Sequence, residues 1–180
     1  MPELDPASDA DVATLEAQLG RPPRGIAGIA WRCPCGKPGV VATEPRLADG
    51  TPFPTTYYLT CPRAVAGCST LESRGVMAEM TERLDADAAL AASYRAAHEA
   101  YLADRATLGD VPEIADVSAG GMPTRVKCLH VLVGHALAAG PGINPLGDEA
   151  LDALGAFWQR PCLRDDPQDT DTDPDHEDPA

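Results

Sequence analysis

Leu129, Leu132, Val133, Ala136 and Leu137 fall at i, i+3, i+4, i+7 and i+8, one apolar stripe on a helix of 3.6 residues per turn. Gly140-Pro-Gly142 stops the pattern, so the spacing predicts a helix from about Arg125 to Ala139. A stripe this continuous requires a second layer to cover it.

The first third of the chain offers that layer. Thr55-Thr-Tyr-Tyr-Leu-Thr60 is β-branched and aromatic, the clearest strand signal present. Ile26 to Trp31 and Gly39 to Thr43 are shorter strand candidates, and Pro45 to Pro54, with Asp49-Gly50, reads as a loop. Three strands so close together predict a small antiparallel meander. Ser8 caps a helix carrying Val12, Leu15 and Leu19, which Gly20 and Pro22 end. Ser69 to Leu84 reads as helical, with Gly75 as a candidate break. Asp87 to Leu108 is a longer helix with the stripe Leu90, Tyr94, Ala97, Tyr101 and Leu102, and Asp148 to Trp158 is a last short one. The expected fold is α+β: a small antiparallel β-meander packed against four to five helices. Aromatic residues are only 4% of the chain, so the core must be mainly aliphatic. One domain is expected over residues 1–162, followed by a disordered acidic tail over 163–180 with almost nothing apolar in it.

Charge narrows the partners. The formal net charge is −14, and eight of the 28 acidic residues lie between Asp165 and Ala180, where there is no Lys or Arg. The other 20 face 14 bases, which leaves the body at −6. Broad nucleic-acid or anionic-membrane binding needs a basic surface and is not expected. No apolar run approaches the roughly 18–20 residues of a membrane span, and no secretory pattern opens the chain. A cytoplasmic protein is expected, in which six cysteines serve as thiols or metal ligands rather than as disulfides.

Chemistry concentrates in Ser118-Ala-Gly-Gly-Met-Pro-Thr-Arg-Val-Lys-Cys-Leu-His130. At a helix start, free N–H groups favour anions and lower thiol pKa values. Gly120, Gly121, Arg125 and Lys127, joined by Arg32 from the sheet, would cradle a small phosphate-bearing ligand. Cys128 would be a nucleophile of a thiol hydrolase or transferase, with His130 or His98 as its base. The third chemistry is metal binding, zinc first. Cys33-Pro-Cys-Gly36 is one residue short of a zinc-ribbon knuckle, and its two thiols meet one ion only if the chain turns at Pro34. Cys61 and Cys68 could complete a four-thiol site; Cys33 or Cys61 could instead share an ion with Cys128 and His130. Cys128 and His130 converge only where the first helical turn is irregular. Small buried thiols with no ligand remain the plain alternative, and a non-catalytic partner-binding module is a further one. His135 reads as a core histidine.

Pro23-Arg-Gly25, Arg32-Cys-Pro-Cys-Gly36, Asp49-Gly-Thr-Pro-Phe-Pro-Thr55, Tyr58-Leu-Thr-Cys-Pro62, Leu71-Glu72, Arg125-Val-Lys-Cys-Leu-His130 and Asn144-Pro-Leu-Gly147 occur in that order. Together they resemble the bacterial domain of unknown function 501 family, in its actinobacterial form, over roughly Asp9 to Trp158. The resemblance implies no activity and no catalytic residues. Such proteins are often encoded near a septum-formation initiator, an enolase and an exopolyphosphatase, which implies a housekeeping cytosolic role.

Overall fold

The computed structural model describes residues 1–163, so the expected acidic tail lies, apart from Leu163, outside the described residues. Three strands, β1 (Ile26–Arg32), β2 (Pro38–Thr43) and β3 (Tyr57–Leu59), form one antiparallel sheet in the order β1-β2-β3. Among the described residues six helices accompany it: α1 (Asp9–Leu19), α2 (Pro62–Ser73), α3 (Val76–Ala86), α4 (Ala88–Leu108), α5 (Leu129–Ala139) and α6 (Pro145–Leu154). The class is α+β.

Strand register decides the two faces. Val40 pairs with Leu59 and Ala42 with Tyr57, and all four join the main core with Leu129, Leu132 and Val133 of α5. Val41 points the other way and packs with Ile29 and with Leu15 of α1. The helix α1 is fastened there by Arg32, whose Nη1 and Nη2 donate to Asp11 Oδ1 and Oδ2 at 2.7 and 3.1 Å, while its Nε reaches Asp5 at 3.0 Å. The Arg32 guanidinium holds the Asp11 carboxyl well below the usual carboxylate range. Asp11 also closes a capping box with Ser8.

Helix boundaries depart from the sequence reading in ways that local chemistry explains. Pro62 suits the first position of a helix, where its missing N–H costs nothing, so α2 starts there and not at Ser69. Gly75 adopts φ 87° and divides α2 from α3, which raises the helix number to six. Asn144 caps Gly147 N, and Pro145 opens α6 three residues before Asp148. The start of α5 is corrected from Arg125 to Leu129. Residues 120–127 fold back on themselves instead: Arg125 N donates to Gly121 O at 3.2 Å and Lys127 N to Gly120 O at 2.7 Å.

Two close approaches set how α5 sits. A Cβ on Gly134 would lie 3.0 Å from the Tyr57 carbonyl oxygen of β3. One on Gly147 would lie 2.4 Å from the Leu132 carbonyl oxygen, where α6 crosses α5. Alanine in a helix is ordinarily better than glycine by up to ~1 kcal/mol. At Gly147 the sign reverses: Gly147→Ala is expected to destabilise by about 1–3 kcal/mol, because backbone must move. Urea unfolding measures this, and a variant as stable as the parent would show that the helices are not in such contact.

The core holds one buried imidazole. His135 is fully buried, stacked on Tyr57 (ring centroids 5.7 Å) and edge-on to Tyr101 (5.2 Å). Asn144 accepts from Gly147 N through Oδ1, so its Nδ2 donates to His135 Nδ1 at 3.3 Å. That assigns the proton to Nε2, which has no hydrogen-bond partner among the described residues. Burial pushes the His135 pKa down to about 4, and the ring is neutral.

Candidate metal centres

The hairpin between β1 and β2 turns within Cys33-Pro-Cys-Gly-Lys37. Gly36 takes φ 82°, its N–H donates to Cys33 O at 2.8 Å, and Cys33 N donates to Lys37 O at 2.9 Å. In a straight strand Cys33 and Cys35 would face opposite sides; the turn sends both thiols to one place. A third arrives from the far end of the chain. Lys37 Nζ reaches Leu163 O at 3.3 Å and Arg63 Nε reaches Pro161 O at 3.4 Å, while Phe157 packs its ring on Trp31 at 6.3 Å. Cys162 is thereby laid on the hairpin. The sulfurs of Cys33, Cys35 and Cys162 all lie within 4.8 Å of one another, and those of Cys35 and Cys162 are 2.9 Å apart.

Cys61, the buried N-cap residue of α2, adjoins this group closely enough to raise the pKa values of Cys33 and Cys162. Burial is the main reason Cys33 stands at about 11, and it pushes Cys162 up as well. Burial opposes ionisation of Cys35 too, but hydrogen bonds from the Cys162 thiol and from the backbone of Cys162 and Lys37 outweigh it and bring Cys35 down to about 7. Of the three thiols, Cys35 is the one its surroundings favour as a thiolate, and all three are buried or half-buried.

A second cluster stands at the start of α5. Cys128 precedes the helix in an extended conformation (φ −157°, ψ 112°), and His130 is the second helical residue. This is the irregular start that two ligands spaced i, i+2 require. His130 Nδ1 lies 3.7 Å from Cys128 Sγ and 3.1 Å from Glu72 Oε1, and the same carboxylate oxygen accepts from Leu129 N at 2.7 Å. Glu72 therefore occupies the positive end of α5 with a charge of the protein's own. His130 Nε2 lies 3.4 Å from Ser69 Oγ. The Cys128 thiol, ahead of Glu72, raises the His130 pKa to about 9 against the effect of burial. Cys68 is buried behind the pair, and burial pushes its thiol up to about 12.

The residues expected to share one ion thus separate: Cys33 and Cys35 cluster with Cys162, while Cys128 and His130 cluster with Glu72. Of the expected anion cradle, Gly120, Gly121, Arg125 and Lys127 stay together in the folded-back loop, and Arg32 does not join them. Gly120 packs on Val131 and Leu132, Arg125 and Lys127 are exposed, and Arg32 is engaged with Asp5 and Asp11 beneath α1. His98 Nδ1 meets Ser118 Oγ at 2.9 Å. Sequence reasoning did not single out Cys162 or Glu72 as ligands. Thiol parity was the available signal for Cys162; nothing local marks Glu72, whose partners come from 57 and 58 residues away.

A family model described as "Protein of unknown function (DUF501)" matches residues 29–152, more than half of the chain. The chain belongs to the DUF501 family. No curated protein and no solved structure matches it. The part of this DUF501 chain that matches contains Cys33, Cys35, Cys61, Glu72, Cys128 and His130, and ends before Cys162. No helix of the DUF501 chain, among the described residues, is long and apolar enough to cross a membrane.

Proposed function

We propose that the protein binds zinc, with Cys33, Cys35 and Cys162 as ligands and Cys61 as the fourth. The observation that carries this reading is the convergence of three sulfurs within 4.8 Å from a hairpin and a distant segment. Thiolates are soft donors that select zinc and similar ions over magnesium or calcium. A closed four-thiol shell is the usual structural zinc site, with zinc–sulfur bonds of about 2.3 Å and hence sulfurs about 3.8 Å apart. Cys35 and Cys162 need to separate by roughly 1 Å to reach that spacing. The ion would hold the C-terminal segment on the β1–β2 hairpin and so complete the core beside Trp31. A reducing compartment such as the cytosol suits free thiols of this kind. A phosphate-type ligand has less support, because Arg32 is already paired with Asp5 and Asp11.

Elemental analysis of protein purified without chelator tests the reading. Cys35→Ser and Cys162→Ser are each expected to carry one zinc fewer per chain than the parent. A parent with no zinc, or variants that keep the full complement, would overturn it.

A further inference from the structure

The sequence reading offered Cys128 as a nucleophile with a histidine base. In a thiol triad the nucleophile and the orienting carboxylate engage opposite nitrogens of the imidazole. Here Cys128 and Glu72 both face Nδ1 of His130. A relay cannot pass through one nitrogen, but three donors aimed at one point can hold an ion. The spacing agrees with that use. A tetrahedron with arms of 2.0–2.3 Å has edges of about 3.3–3.8 Å, and the separations here are 3.1 and 3.7 Å, with all three donor atoms within 4.8 Å of one another. The remaining imidazole nitrogen, Nε2, reaches Ser69 Oγ, the outer contact that commonly fixes a ligating histidine.

This cluster differs from the four-thiol group in its access to solvent. Cys128 and His130 line a groove of about 630 Å³ that runs along β3, an edge strand, between the end of α1 and the start of α2. We propose that Glu72, Cys128 and His130 form a second, open metal centre, whose free coordination position faces this groove and takes an uncharged nitrogen or oxygen donor. Three protein ligands with a vacant fourth position is the pattern of reactive rather than structural zinc.

The ligand class follows from charge. A divalent ion with one thiolate, one carboxylate and a neutral imidazole has no net charge to offer an anion. The groove supplies none either: its walls carry Gln18, Thr55, Tyr58 and Thr60 beside apolar Leu19 and Val65, and no Lys or Arg among the described residues. A phosphate would enter unpaired, into a chain of net charge −14. A neutral donor, such as a hydroxyl, an amide carbonyl or an imidazole, meets hydroxyl and amide partners along the same walls.

Cobalt titration separates this centre from the one proposed above. Co²⁺ reports thiolate coordination through its charge-transfer absorption and geometry through its visible bands. The parent is expected to take up two ions, Cys35→Ser one, and His130→Gln one. Cys128→Ala serves as a second variant at the groove, and far-ultraviolet circular dichroism confirms that each variant folds. Millimolar imidazole should shift the visible bands of cobalt-loaded Cys35→Ser, and millimolar phosphate should leave them in place. Failure of Cys35→Ser to bind cobalt, or unchanged uptake by both His130→Gln and Cys128→Ala, overturns the groove centre while leaving the four-thiol reading intact. The reverse pattern, one ion insensitive to Cys35→Ser, overturns the four-thiol reading alone. A shift with phosphate and none with imidazole overturns the assigned ligand class.

Discussion

Addition of EDTA is expected to lower the thermal midpoint of the protein by about 8–16 °C. An ion present at about 1,000 times its dissociation constant stabilises the folded state by about 4.1 kcal/mol. For a chain of this size each kcal/mol moves the midpoint by roughly 2–4 °C. The stabilisation would come chiefly from the four-thiol group, where an ion would join the more distant segments: Cys35 and Cys162 are 127 residues apart, against 58 between Glu72 and His130. Cys162→Ser should start from a lowered midpoint and show a much smaller chelator effect. Re-addition of zinc should restore the parent and leave Cys162→Ser where it is. Equal midpoints for the parent with and without EDTA would dispose of a stabilising ion.

Between pH 6.5 and pH 4 the apo protein is expected to lose about 3 kcal/mol of stability through His135. Unfolded histidine takes up a proton near its ordinary pKa of about 6.5; buried between Tyr57 and Tyr101, His135 resists until about 4. Throughout that interval the unfolded state binds more protons, so stability falls as pH falls. At 1.36 kcal/mol per pH unit the interval amounts to about 3 kcal/mol. Asp104, the nearby carboxylate, favours the charged ring and is outweighed by burial. Urea unfolding of the parent and of His135→Gln, both in EDTA so that metal release does not enter, measures the difference in slope. Parallel curves for the two proteins would mean that His135 is not held neutral by its surroundings.

The periodic parts of this fold were legible because burial leaves a repeating mark. The α5 stripe, the Tyr94, Ala97 and Tyr101 side of α4, and the three strands follow from apolar spacing and strand-forming residues, and the structure buries Leu129, Leu132, Val133 and Ala136, those three residues of α4, and Ile29, Val40, Val41, Ala42, Tyr57 and Leu59 of the sheet. Boundaries were less legible. Arg125 to Lys127 satisfy the helical pattern locally, yet their backbone is claimed by the Gly120 and Gly121 carbonyls, a contact that spacing does not encode. The candidate sites were half legible for a related reason. Cys33 and Cys35 announce themselves as neighbours, and so do Cys128 and His130. Each pair is then joined by a residue from elsewhere, Cys162 or Glu72, whose position depends on how helices and the C-terminal segment dock. Grouping Cys128 with Cys33 joined two residues that the fold keeps in separate clusters.

The placement of Cys162 has a consequence for how the molecule is made. At a synthesis rate of about 5–20 residues per second, the 127 residues between Cys35 and Cys162 take about 6–25 s to emerge. Cys33, Cys35 and Cys61 are therefore exposed together on the nascent chain well before their last companion exists. Zinc capture at the four-thiol group would come in two instalments. A chain that stops before residue 162 would carry the three earlier thiols without the fourth, and its site would stay open.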